Sequence, residues 1–177
     1  MILLGCAHLG LAHDQYRGLP YPPNEMFEAM LNYADDGGFQ GLSASLVYVH
    51  PLAAELQREF GVGAEAGIRR AISEKSAPKA RLAVLRLIAL DMRLNLKTAG
   101  ETDDAGRRVE SVQMAFLDYG FLAPGIKVLD RPLDREAKDA FRRLYRSLDR
   151  SEVKGLSEEL LAKLMPALAQ GSSDDIH

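Results

Sequence analysis

The chain has 177 residues, of which 47% are apolar and 27% are charged, and its formal net charge at pH 7 is −3. This composition excludes disorder over most of the chain, because low hydrophobicity and high net charge are both absent. No apolar run reaches the ~18 residues needed to cross a bilayer. A single cysteine, Cys6, excludes an internal disulfide framework and a zinc site built from cysteines.

Seven segments have capping residues or apolar positions at helical spacing and are predicted to be helices. In chain order they cover residues 25–34, 51–60, 64–74, 77–98, 107–119, 133–148 and 157–169. A turn is predicted at 120–125, where the sequence reads GFLAPG. Gly155 is predicted to break the chain before the last helix, and Pro166 to kink or end that helix.

Three short apolar runs are candidate strands: residues 2–9, 46–50 and 126–130. The sequence therefore predicts a mainly α fold, a helical bundle of six or seven helices. An α+β fold is the alternative if the three runs join into a small sheet. Residues 1–170 are predicted to form a single globular domain, and residues 171–177 a flexible tail.

Charge is distributed unevenly along the chain. Residues 1–68 carry eight acidic and two basic side chains, a net charge of −6, whereas residues 69–97 carry eight basic and two acidic side chains, a net charge of +6. Residues 98–177 carry a net charge of −3. A basic segment between acidic flanks either binds a polyanion or pairs internally with the acidic first third of the chain.

The predicted helix over 77–98 is apolar nearly all round, apart from one basic edge. At 100° per residue, four basic side chains fall within a stripe of about 40°; they are Lys79, Arg86, Arg93 and Lys97. A helix with this pattern is expected at the centre of the molecule. Arg69 and Arg70 add to the basic surface, near a predicted helix N-terminus where an anion could sit.

Two functions fit this basic surface. The first is a non-enzymatic regulatory or adaptor protein that binds an acidic partner protein through the helix edge. The second is a nucleic-acid-associated regulator that contacts phosphates with the same edge, although no aromatic residue lies between 61 and 115 to stack on bases. The competing interpretation is pairing within the chain, for which the candidate acids are Asp35, Asp36, Glu101, Asp103 and Asp104.

A third hypothesis is a small hydrolase or metal enzyme, which rests on His8, His13 and Asp14, with Cys6 nearby and His50 further along. Two imidazoles and a carboxylate can hold a transition metal, and a thiol beside an imidazole can act as a nucleophile with its base. The spacing of these residues matches no recognised pattern. No catalytic residue, metal ligand or cofactor is therefore predicted.

The N-terminal apolar run, residues 2–12, has no basic residue before it. A secretory signal needs such a basic region. The chain is therefore expected to be a cytoplasmic protein of bacterial type with no membrane partner, and its oligomeric state is left open.

Overall fold

The computed structural model describes residues 23–147 and 149–171, and within them the chain forms α-helices and no strand. In chain order the helices are α1 (Pro23–Asp35), α2 (Phe39–Phe60), α3 (Ala64–Ser73), α4 (Ala77–Glu101), α5 (Ala105–Leu129), α6 (Arg131–Arg146) and α7 (Arg150–Gly171). The predicted mainly α helical bundle is confirmed. The candidate strand at 2–9 lies outside the described residues, as does the predicted tail apart from Gly171.

Two of the three candidate strands are wrong, because residues 46–50 lie inside α2 and residues 126–130 lie almost wholly inside α5. In α2 the buried residues recur every three or four positions: Leu42, Leu46, Val49, Ala53 and Leu56. This is the period of a helix with one face in the core. The β-propensity of the Val47–Val49 segment is overridden by that burial.

Helix α5 runs straight through the turn that was predicted at 120–125. Leu122 and Ile126 are both buried, so continuing the helix places two more apolar side chains in the core. Pro124 removes one backbone hydrogen bond to the carbonyl of Gly120, but Gly120 is exposed and its carbonyl can bind water. The predicted turn is therefore wrong.

Helix α7 likewise continues through Gly155 and Pro166, contrary to the predicted interruptions. Val153, Leu156, Leu160 and Leu164 are all buried along one face of the helix. Packing of this stripe outweighs the roughly 1 kcal/mol that a glycine costs inside a helix.

Helix α4 is central, as its composition predicted. It packs against α1, α2, α3, α5 and α7, and most of its residues from Ala80 to Gly100 are buried. Gly100 lets α7 approach closely, since a Cβ there would lie 3.1 Å from the Lys154 Cα. Among the described residues, no helix combines the length and hydropathy needed to cross a membrane.

Candidate partner-binding surface

The structure places the six predicted binding residues on two neighbouring helices. Arg69 and Arg70 lie in the second half of α3, with Arg70 in its last turn, so they are not at the helix N-terminus where an anion was expected. The four residues of the basic stripe follow one edge of α4. The charge environment of each side chain decides which of them can meet an outside partner.

The two α3 arginines are held by acidic residues one turn away. Arg69 Nε donates to Glu65 Oε1 over 2.7 Å, and Arg70 Nε donates to Glu74 Oε1 over 2.9 Å. Glu65 is also hydrogen-bonded to His50 Nδ1 at 3.0 Å, and this bond, with the bonds from Arg69, holds the pKa of Glu65 below its usual value. These arginines therefore belong to a local network on α2 and α3.

Lys79 and Lys97 are ion-paired at opposite ends of α4. Lys79 Nζ lies 2.7 Å from Glu74 Oε2, and this bond, with that from Arg70, lowers the pKa of Glu74. Lys97 Nζ lies 2.7 Å from Glu101 Oε2 and 3.3 Å from Glu59 Oε2. The hydrogen bond to Glu101 is the main reason that the pKa of Lys97 is raised. Glu101 is one of the acids predicted for pairing within the chain, and Glu59 lies in the acidic segment 1–68, whereas Glu74 belongs to neither set.

The guanidinium group of Arg93 lies over an aromatic ring. Its guanidinium carbon lies 4.1 Å from the centroid of the Phe60 ring at the end of α2. A cation over the face of an aromatic ring is attracted to it by the negative potential of that face. The sequence could not show this contact, because it joins positions 33 residues apart that only the packing of α2 on α4 brings together.

Arg86 differs from the other five predicted residues. It is exposed, and it forms no hydrogen bond or ion pair with any other residue that the structure describes. Within the described residues, two of the four residues of the basic edge, Lys79 and Lys97, are therefore ion-paired, Arg93 lies over the Phe60 ring, and Arg86 has neither kind of contact. Arg69, Arg70 and Lys79 are exposed as well, but each is ion-paired, so Arg86 is the exposed predicted cation that has no ion pair with a described residue.

A groove lies beside Arg86, between α4 and α5. Its volume is about 500 Å³, and Leu168 of α7 closes one side. Apart from Arg81 and Arg86, its lining consists of apolar residues and one glycine: Leu82, Leu85, Ala89, Phe121, Leu122, Pro124, Gly125, Ile126, Val128, Leu129 and Leu168. Arg81 is ion-paired with Asp35, so Arg86 supplies the uncompensated charge at this groove. We call this feature the α4–α5 groove.

A second depression lies on the other side of the same stretch of α5. It has a volume of about 780 Å³ and is lined by Gly120, Ala123, Pro124, Lys127, Val128, Arg131 and Lys138. Lys138 is ion-paired with Asp134 at 2.8 Å, whereas Lys127 and Arg131 form no direct ion pair with a described residue. We call this feature the α5–α6 depression.

Between these two features, the end of α5 exposes large apolar side chains. Val128 is 87% exposed and Leu129 is 55% exposed. Sequence reasoning missed the whole region, because it placed a turn at 120–125 and a strand at 126–130. Only the continuation of α5 as a helix sets these side chains alongside α4.

The third hypothesis, a hydrolase or metal enzyme, rests on residues that are mostly not among the described residues. His8, His13, Asp14 and Cys6 lie outside them, and His50 is an exposed residue bonded to Glu65. Within residues 23–147 and 149–171, no group of three or more His, Cys, Asp or Glu side chains is placed to hold a metal ion.

No protein-family model matches this chain, and no curated protein sequence or solved structure is significantly similar to it.

Proposed function

We propose that this protein is a non-enzymatic adaptor or regulatory protein that binds an acidic partner protein in the α4–α5 groove. The observation that carries the proposal is the position of Arg86, an exposed cation without an intramolecular partner among the described residues, beside an apolar groove of about 500 Å³. Apolar contact area supplies affinity, and the charge selects an acidic partner over a basic one.

The intramolecular pairs favour a protein partner over nucleic acid. A phosphate backbone is bound by several cations spaced along it. Five of the six predicted cations already contact a glutamate or the Phe60 ring, which lowers the charge that they offer to a phosphate backbone. An apolar groove beside an exposed cation that has no ion pair with a described residue suits a partner with an apolar face and acidic side chains next to it.

Site-specific photo-crosslinking tests the proposal. A benzophenone amino acid at Val128, beside the groove, is compared with the same group at Val109, which is also an exposed valine of α5 but lies about 28 Å away along the helix. The experiment is done in cells that express the protein naturally, and crosslinked proteins are identified by mass spectrometry. The expected result is an acidic protein crosslinked at 128 and not at 109.

The charge variant Arg86→Glu and its control, Arg107→Glu, complete the test. Arg107 is also exposed and lies near the other end of α5. With the crosslinked protein purified, Arg86→Glu should weaken binding by ~10-fold or more, about 1.4 kcal/mol, and Arg107→Glu should leave it unchanged. Equal crosslinking at both positions, or binding of DNA that Arg86→Glu abolishes and salt steeply weakens, would overturn the proposal.

A further inference from the structure

We infer that the segment bound at this site is an amphipathic acidic helix that lies alongside the end of α5, with its apolar face in the α4–α5 groove and its carboxylates over the α5–α6 depression. This inference rests on the proposed function and specifies the partner and its mode of binding. Two observations support it. The α4–α5 groove and the α5–α6 depression share lining residues, and the groove is lined mainly by apolar side chains whereas the depression presents basic ones.

The two features are continuous. Pro124 and Val128 line both of them, so a ligand that covers Val128 contacts the groove on one side and the depression on the other. Val128 is 87% exposed, which leaves most of this apolar side chain facing water. Covering it removes apolar surface from water and stabilises the complex.

The chemistry on the two sides differs. The groove side presents leucine, isoleucine and phenylalanine side chains, together with Arg86, which forms no ion pair with a described residue. The depression side presents Lys127 and Arg131, and none of the described residues that line it is acidic. A partner complementary to both sides needs apolar side chains on one face and acidic side chains on the flank next to it.

A helix fits better than an extended strand for a reason of backbone hydrogen bonding. No strand occurs in the described residues, so no sheet edge is present there to pair with an added strand. The groove is walled by apolar side chains, which cannot satisfy the amide groups of an extended peptide. A helix satisfies its own amides and leaves only side chains to be matched.

The length of the groove agrees with a short helix. On α4 its lining runs from Arg81 to Ala89, and on α5 from Phe121 to Leu129. Eight residue steps correspond to about 12 Å along a helix axis, or a little over two turns. A bound helix would therefore place three or four apolar anchors at spacings of three and four residues.

A display selection tests this inference with a defined probe. A pool of random 16-residue peptides is selected on the immobilised full chain and, in parallel, on its Arg86→Glu variant. Sequences specific to the unmodified chain should show apolar residues at helical spacing with aspartate or glutamate beside them. A synthetic peptide of the recovered sequence should bind the Lys127→Glu/Arg131→Glu variant ~10-fold or more weakly than the unmodified chain. Its affinity for Arg107→Glu should be unchanged.

The outcomes separate the two proposals. If no peptide depends on Arg86, the proposed function fails together with the inference. If acidic peptides depend on Arg86 but lack a helical pattern and are insensitive to Lys127→Glu/Arg131→Glu, the inference alone is overturned. A self-association in sedimentation that Val128→Glu disrupts and Val109→Glu does not would instead make a second copy the occupant, and would overturn the inference. Circular dichroism and melting curves confirm that each variant is folded.

Discussion

Asn95 donates a hydrogen bond from its side-chain amide to a carboxylate oxygen of Asp118 over 3.2 Å, and both residues are buried in the bundle. Asp91, one turn before Asn95 on α4, is buried as well. Burial raises the pKa of Asp118 well above its ordinary value, and the nearby charge of Asp91 raises it further. The core between α4 and α5 thus holds a carboxyl group that retains its proton to unusually high pH.

This raised pKa makes stability depend on pH. In the unfolded chain Asp118 ionises near the ordinary aspartate pKa of about 3.9, whereas in the folded chain it ionises at higher pH. The group therefore favours folding most at low pH, and this contribution falls as pH rises from the unfolded pKa through the folded one. Asp118→Asn, which keeps an acceptor for Asn95 and cannot ionise, should raise stability relative to the unmodified chain by an amount that grows as pH rises above about 4.

Urea unfolding at several pH values measures this difference. Asp139→Asn serves as the control, because Asp139 is exposed and paired with Arg142 at 2.5 Å. Its effect should not grow over the same pH range. A difference between Asp118→Asn and the unmodified chain that stays constant as pH rises from about 4 would show that the pKa of Asp118 is not raised in the folded protein.

Tyr119→Phe tests a buried hydrogen bond between α5 and α6. The Tyr119 hydroxyl donates to Asp134 Oδ1 over 2.8 Å, and the ring packs 5.3 Å from that of Phe141. Removing the hydroxyl keeps the packing and should lower the free energy of unfolding by about 1–2 kcal/mol. Thermal and urea unfolding measure the loss. Tyr145→Phe, which alters a half-exposed tyrosine with no hydrogen bond to a described residue, should stay within about 0.5 kcal/mol.

The same variant should change the titration of Asp134. The hydrogen bond from Lys138 and then that from Tyr119 hold the pKa of Asp134 below its usual value. The stabilisation that accompanies a lowered carboxyl pKa is present at neutral pH and is lost as pH falls through the folded value. Tyr119→Phe should therefore raise the pKa of Asp134 in an NMR titration of its carboxyl carbon, and an unchanged pKa would contradict the hydrogen bond.

Gly41→Ala tests the close approach of α1 and α2. A Cβ at position 41 would lie 2.6 Å from Cε1 and 2.7 Å from Cδ1 of the Tyr33 ring. This substitution should destabilise the protein by about 1–3 kcal/mol, although alanine is the better helix former. Gly120→Ala on α5 is the control, since a Cβ there meets nothing within 4 Å, and it should stabilise by about 1 kcal/mol.

The same substitution made in a Tyr33→Ala chain tests whether the Tyr33 ring causes the loss of stability. In a Tyr33→Ala chain the ring is absent, so adding Gly41→Ala should become neutral or stabilising. Unfolding curves of the four combinations give the coupling between the two positions. If Gly41→Ala is equally destabilising with and without the Tyr33 ring, the close contact is not its cause.

The sequence predicted those helices whose ends carry strong local signals. Helix α1 ends at Asp35 before a glycine with a φ of +66°, and α2 ends before Gly61 with a φ of +68°. Helix α6 begins after Asp130, whose side chain accepts from the Leu133 N–H at 2.9 Å. Local rules sufficed at these points because the chain itself supplies the signal.

Predictions from the sequence were wrong where the burial of apolar side chains outweighed the local backbone preference of proline. Pro51, Pro124 and Pro166 all lie inside helices at exposed positions, where the lost hydrogen bond is compensated by water and by apolar burial on the opposite face. Predicting these continuations requires knowing which face the neighbouring helices cover. That information lies in contacts between residues distant in the sequence.

The candidate site also combines features that the sequence predicts with features that only the packing of the helices shows. The basic stripe on α4 follows from helical spacing alone, but Phe60 and Glu59 reach it from α2 only because of the packing of the two helices. The α4–α5 groove exists because α5 remains helical to Leu129. The glycines and the proline at 120–125 predict a turn instead. Arg86 could therefore be predicted as basic and outward-facing, but its isolation from acidic partners could not.

The most direct test of the proposed function is a charge exchange between Arg86 and a bound peptide. Fluorescence anisotropy measures the affinity of one acidic peptide from the display selection, and of its counterpart with lysine in place of glutamate, for the unmodified chain, Arg86→Glu and Arg107→Glu. The unmodified chain and Arg107→Glu should prefer the acidic peptide, and Arg86→Glu should prefer the lysine peptide. The same preference in all three proteins would contradict the proposed function.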